Sequence, residues 1–176
     1  MIYNGYELFN VAETIERADG FIVLRRYPES VVTRMSVPEF DERGNQIAEH
    51  IGHRTIARAS VGVEVRFVSD SDRIGFTVDC EQSASVAVYS GDWQVAFYTT
   101  EGGKRDLQAA RHGNMHGVSA QACNRFSPKL WRIAITAGAP VAIKVDPVDR
   151  RAPTAADLPA VTALAYGTSI TQGTKP

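Results

Sequence analysis

Hydrophobic residues alternate with polar ones along most of residues 1–145, which is the pattern of strands with one buried face. Five series show this period most clearly: Val61–Val68, Ile74–Cys80, Trp93–Phe97, Trp131–Ile135 and Val141–Val145. Shorter stretches predict further strands: Tyr6–Val11, Phe21–Tyr27, Ser30–Val37, Thr55–Ala59 and Ser85–Ser90. Trp93 and Trp131 fall on apolar positions of their strands, so we expect both in the core.

The links between these stretches contain turn residues. Ser69–Asp72, Ser90–Asp92 and Glu101–Lys104 are short and polar or contain glycine, as hairpin connections do. About ten short strands without a sustained helical period predict an all-β fold, a two-sheet antiparallel β-sandwich of jelly-roll type. The segment Asp106–Ser127 is polar and weakly patterned, and we expect a long loop there.

The composition changes after residue 146. Residues 147–159 contain three prolines, Pro147, Pro153 and Pro159, which predicts an extended linker. Arg151 in this linker is a candidate to pair with a carboxylate where the sandwich meets a second domain. The apolar run Ala160–Tyr166 does not alternate, as in a strand buried on both faces of a parallel sheet. The chain therefore divides into a sandwich (1–146), a linker (147–159) and the start of an α/β domain (160–176).

The predicted buried strand leads into a turn that carries a serine, Ser169. A serine at the carboxyl end of such a strand has an exposed hydroxyl close to the N–H groups of the following helix. Gly167 and Gly173 give the turn its backbone freedom. Thr171 stands where the nucleophile elbow of an α/β-hydrolase has its second glycine, so that elbow is disfavoured.

The segment Tyr166–Gly173 resembles the first conserved block of the SGNH/GDSL-type serine hydrolases, which are esterases and acyltransferases. Thr168 and Ile170 replace the Asp and Leu of the nominal Gly-Asp-Ser-Leu string. Upstream stretches such as Val63–Phe67 and Phe126–Arg132 are similar to the accessory domain of one SGNH subgroup. That N-terminal jelly roll itself resembles carbohydrate-binding modules.

The resemblance implies that Ser169 is the nucleophile and that its backbone N–H is one oxyanion donor. The family's remaining oxyanion residues and its Asp-x-x-His base follow the nucleophile. All four histidines here precede Ser169, and none stands in that context. Because a serine without a base is a weak nucleophile, we expect no ester hydrolysis by these residues alone. The expected partner is the protein's own C-terminal catalytic domain, and residues after Pro159 are expected to be poorly ordered or paired with another chain.

The resemblance to carbohydrate modules suggests a second function. Tyr89 and Tyr98 fall in the polar phase of their strands and are candidate sugar contacts. On this alternative, the chain is a free-standing carbohydrate-binding or protein-docking module. An ester or a carbohydrate-bearing small molecule is then the expected ligand, and a homo-oligomer is a further expectation.

Charge, hydropathy and the histidine spacing argue against several classes of partner. The net charge of −1 disfavours nucleic acid, and no apolar run is long enough to span a membrane. The pairs His50/His53 and His112/His116 have no nearby carboxylate or thiol in a zinc pattern, so we expect no metal and no cofactor. The N-terminus has no secretory signal pattern, which suggests a cytoplasmic protein with free thiols at Cys80 and Cys123.

Overall fold

The structure is a computed structural model that describes residues 1–35, 37–50, 52–113 and 125–160. Its strands in chain order are β1 Ile2–Tyr3, β2 Tyr6–Phe9, β3 Glu13–Glu16, β4 Ile22–Arg25, β5 Val37–Phe40, β6 Gln46–His50, β7 Glu64–Val68, β8 Arg73–Cys80, β9 Ala84–Ser90, β10 Trp93–Thr100, β11 Gly103–Ala110, β12 Leu130–Gly138 and β13 Val141–Val145. Two short helices, α1 Glu29–Val32 and α2 Gly52–Arg58, and a 3-10 turn, Ala155–Asp157, complete the described elements.

The strands form the predicted all-β sandwich of two antiparallel sheets. One sheet has six strands in the order β1-β2-β7-β12-β9-β10, and the other has five in the order β11-β8-β13-β4-β3. The strands β5 and β6 form a separate two-stranded sheet. The links Ser69–Asp72 and Glu101–Lys104 join strands of opposite sheets and are therefore not hairpins, whereas β9 and β10 do form one.

The core lies between the two large sheets and contains the alternating apolar positions. Trp131, Phe67 and Phe76 are its largest fully buried side chains. Burial alternates along β8 from Ile74 to Cys80, as the period-two pattern predicts. Cys80 is a buried free thiol, and Cys123 lies outside the described residues.

Two predicted strands are helices instead. Glu29–Val32 forms one helical turn that covers the first three residues of the stretch Ser30–Val37, and Gly52–Arg58 covers most of the stretch Thr55–Ala59. Glu29 of α1 accepts a hydrogen bond from Arg58 of α2 at 2.6 Å, which links the two helices, and another from Arg25 of β4 at 2.8 Å. These contacts come from outside each segment and override the β propensity of the short Val and Ile runs.

The prediction that Trp93 lies in the core is wrong, whereas Trp131 is buried as predicted. The register of β10 against β9 shifts between Gln94 and Ala96, which leaves Val95 without an opposite partner. This bulge reverses the alternation, so Phe97 lies opposite Ala87 on the outer face. Trp93 precedes the bulge and lies opposite Ser90, at the start of this edge strand. Trp93 and Phe97 are each 54% exposed.

The predicted loop Asp106–Ser127 begins inside a strand. Residues Gly103–Ala110 form β11, which pairs with β8 over eight residue pairs. This strand shows no alternation of apolar and polar residues, because it lies at the edge of its sheet and has only one well-buried residue, Ala109. No helix among the described residues has the length and apolar character needed to cross a membrane.

Candidate functional site

The predicted catalytic segment with Gly167, Ser169 and Gly173 lies outside the described residues. The structure describes the two candidate sugar contacts, and it does not bring them together. Tyr89 is half-buried on the outer face of the six-stranded sheet, where its ring contacts the Arg132 guanidinium. Tyr98 packs edge-on against Phe76 on the core side, with the ring centroids 6.4 Å apart. The two tyrosines therefore cannot form one aromatic platform.

The histidine pairs are described only in part. His50 ends β6, His53 lies in α2, His112 is exposed, and His116 is outside the described residues. Within the part of the chain that the structure describes, no three His, Cys, Asp or Glu residues converge as metal ligands would.

The linker is bound to the sandwich at the end of β7. The backbones of Val68 and Arg151 exchange two hydrogen bonds, of 2.9 and 3.0 Å. Farther along, the Ser127 N–H donates to the Asp157 carbonyl oxygen at 3.0 Å. We call residues 151–157 with these contacts the C-terminal anchor. It holds the last described residues against the sandwich at the end opposite the β12–β13 turn.

A buried carboxylate organises this anchor. Asp157 is only 6% exposed, and the Arg151 guanidinium donates to both of its carboxylate oxygens, at 2.7 and 3.1 Å. The Thr154 N–H and hydroxyl also donate to it, each at 2.8 Å. These bonds, above all those from Arg151, lower the pKa of Asp157 to about 2. The Asp157 carboxyl group is therefore ionised at neutral pH, and its bonds to Arg151 and Thr154 are charge-assisted.

The neighbouring end of the sandwich is tied together by Arg111. Its guanidinium donates to the carbonyl oxygens of Ser71 and Ser69, both at 2.9 Å, and to the Ser90 hydroxyl at 3.0 Å. It also lies over the Trp131 ring, 4.8 Å from the centroid. Burial lowers the pKa of Arg111, yet the group keeps its charge because its ordinary pKa is far above neutrality. These bonds join both sheets at the end of the sandwich where the anchor is bound.

The outer face of the six-stranded sheet carries two largely buried arginines. In one row across the sheet, Glu7 lies opposite Arg66, Arg66 opposite Arg132, and Arg132 opposite Tyr89. Glu64, in the adjacent row, accepts from Arg132 at 2.7 and 3.0 Å and from Arg66 at 2.7 Å. Burial raises the pKa of Glu64, but these two guanidinium groups outweigh it and keep the pKa below its ordinary value.

Aromatic rings cover these arginines. The Phe9 centroid is 3.7 Å from the Arg66 guanidinium carbon, and the Phe126 centroid is 4.0 Å from that of Arg132. The group Phe9, Glu64, Arg66, Tyr89, Phe126 and Arg132 forms what we call the stacked arginine cluster. Phe126 is the residue before Ser127, so the cluster lies directly beside the C-terminal anchor.

Sequence reasoning missed this cluster. Glu64, Arg66 and Arg132 occupy the polar phase of β7 and β12, where side chains are normally solvated. The available signal was the spacing of Glu64 and Arg66, two residues apart on the same face of β7. Arg132 could not be added to them from the sequence, because only the strand order shows that β12 lies beside β7. Arg151 was expected to meet a carboxylate across a domain interface, and the structure shows it paired with Asp157 of the linker itself.

A separate cleft of about 590 Å³ lies where the two sheets separate, between β10 and β11. Tyr98, Asp106, Leu107, Gln108 and Asp146 line it. The Tyr98 hydroxyl donates to the Gln108 carbonyl oxygen, and Thr77 donates to the Asp106 carboxylate at 2.6 Å. The lining thus combines an aromatic ring with carboxylate and amide groups.

The chain matches no protein-family profile, no curated protein and no solved structure.

Proposed function

We propose that this β-sandwich is the accessory domain of an SGNH/GDSL-type carboxylic-ester hydrolase or acyltransferase, with Ser169 as its nucleophile. The observation that carries the proposal is the C-terminal anchor. The linker after the sandwich is bound by backbone and ion-pair contacts instead of extending freely. The segment that leads to Ser169 therefore follows a bound stretch, since Ala160 lies only three residues after the anchor ends. Such an attachment suits a sandwich that has to hold a catalytic domain in a fixed place.

The stacked arginine cluster supports the same proposal. Aromatic residues and arginine are enriched at the centres of protein interfaces, where their large, ordered side chains contribute most of the binding energy. The two arginines and the carboxylates of Glu64 and Glu7 balance in charge, so a docked domain meets little net field there. We propose that the catalytic domain packs on this face, beside the anchor.

The chemistry of the proposed enzyme is acyl transfer. The Ser169 hydroxyl oxygen attacks the ester carbonyl, its proton passes to a histidine of the catalytic domain, and the alcohol leaves with that proton. Water then releases the acid, or an acceptor hydroxyl takes the acyl group. The sandwich contributes position rather than reacting groups in this scheme.

The test is to read the coding DNA beyond Pro176 and to assay the protein that the whole reading frame encodes. We expect Gly, Asn and Asp-x-x-His blocks downstream, and hydrolysis of 4-nitrophenyl acetate that falls at least about 1,000-fold in Ser169→Ala. The 176-residue chain itself is expected to show background hydrolysis both with and without Ser169.

Two results would contradict the proposal. One is a reading frame without these blocks, and the other is hydrolysis that Ser169→Ala leaves unchanged. The contribution of the anchor is tested separately with Asp157→Asn, which should lower kcat/KM, against Asp149→Asn, an exposed linker carboxylate, which should not.

The cleft at Tyr98 favours a second candidate function, the binding of a carbohydrate. Calorimetric titration of the chain with cello-, xylo- and chito-oligosaccharides tests it. Gln108→Ala should abolish any binding, whereas Gln94→Ala, an exposed amide on the neighbouring strand, should leave it intact. Absence of heat with all three sugars, or equal loss in both variants, argues against this site.

A further inference from the structure

The strand β10 differs from the other strands at the edges of the two large sheets. The edge strand β1 has two residues, β3 carries Glu13 and Glu16, and β11 carries three consecutive charged residues. Short length and charge are devices that keep sheet edges from pairing with other chains. The eight residues of β10, Trp-Gln-Val-Ala-Phe-Tyr-Thr-Thr, include no charge and no proline.

The strand β10 also carries one exposed aromatic side chain on each face of the sheet, because Trp93 lies opposite Ser90 and Phe97, after the bulge, lies opposite Ala87. Trp93 and Phe97 are each 54% exposed, although large apolar side chains favour burial. In the part of the chain that the structure describes, β9 is the one strand paired with β10. The Tyr98 hydroxyl contacts β11, and among the described residues no strand lies along the other edge of Trp93–Phe97.

The occupant that fits this edge is another uncharged strand. A row of free N–H and C=O groups is satisfied by a second extended backbone, and antiparallel pairing of identical strands creates a closed, two-fold interface. The absence of charge on β10 means that two copies meet without like-charge repulsion. The bulge at Val95 limits the length of the pairing rather than preventing it.

We infer that β10 pairs with β10 of a second copy of this chain, and that this pairing covers Trp93 on one face of the sheet and Phe97 on the other. The inference does not depend on the function of Ser169. The interface is small, so we expect a dimer that dissociates on dilution in the micromolar range rather than a permanent one.

Sedimentation equilibrium of the 176-residue chain over a wide concentration range tests this inference. The wild type should show a monomer–dimer equilibrium, and Trp93→Lys and Phe97→Lys should each weaken it at least about tenfold. The matched control is Ile15→Lys, which places the same charge on an exposed apolar residue of the edge strand β3 and should leave the equilibrium unchanged. Circular dichroism confirms that each variant is folded.

Three results would overturn the inference. A wild type that stays monomeric at several hundred micromolar has no such interface. Equal weakening by Ile15→Lys points to non-specific association, and a dimer insensitive to both β10 substitutions uses another surface.

Discussion

Arg151 and Asp157 form a two-pronged ion pair across one turn of the linker, with N–O distances of 2.7 and 3.1 Å. The backbone of the same arginine pairs with Val68 of β7, so one residue connects the linker carboxylate to the sheet. This relationship turns a proline-containing segment into a bound part of the sandwich.

Replacing the anchor carboxylate should release this segment. In Asp157→Asn, the loss of charge-assisted hydrogen bonds should lower the free energy of unfolding by about 1–2 kcal/mol, since Arg151 is half-exposed and partly screened. Hydrogen exchange at the Arg151 and Ser127 amides should also accelerate. Asp149→Asn serves as the control, and equal exchange in both variants would contradict the role assigned to Asp157.

The anchor should also depend on pH in the acidic range. The pKa of Asp157 is about 2 in the folded protein, against an ordinary value of 3.8. As the pH falls, the unfolded chain takes up this proton first, so the stabilisation is complete above about pH 4 and is lost toward pH 2. The difference in Tm between wild type and Asp157→Asn should therefore shrink over that interval. A difference that is constant from about pH 6 to about pH 2 would argue against this titration.

Removing the carboxylate of the stacked arginine cluster should lower the free energy of unfolding more than Asp157→Asn does. Glu64→Gln leaves two largely buried guanidinium groups without their shared partner, which should destabilise the fold by about 3 kcal/mol. Urea denaturation measures this loss. Glu101→Gln, in the exposed β10–β11 turn, should change stability little, and a similar small effect at Glu64 would show that the cluster is not a stabilising network.

The β12–β13 turn should tolerate no side chain at Gly138. Its φ is +104°, and a Cβ there would overlap the Ser83 carbonyl oxygen and lie 2.6 Å from the Ala84 Cα. Gly138→Ala should therefore destabilise the protein by about 2–4 kcal/mol in thermal or urea unfolding. Gly103 is the matched control, because its φ is +73° but nothing lies within 4 Å of its Cβ position. Equal effects of the two substitutions would mean that conformation alone, and not the overlap, sets the cost.

The sequence predicted the fold class and most of the core because burial of one face requires period-two alternation. Phe67, Phe76 and Trp131 were identified in this way. The sequence pattern predicted strands where the structure has the helices Glu29–Val32 and Gly52–Arg58, because contacts from other parts of the chain outweigh the local β preference there. The proposed role of Ser169 comes from a resemblance and stays a prediction.

By itself, then, the sequence determined an antiparallel β-sandwich followed by a proline-containing linker. Tertiary structure alone decided that β7 lies beside β12, and for this reason Arg66 and Arg132 share Glu64. It also decided that β10 carries a bulge, which places Phe97 on the outer face. The physical reason is that alternation reports which face of a strand is buried but not which strands are neighbours. Strand order and register depend on packing between residues far apart in the chain.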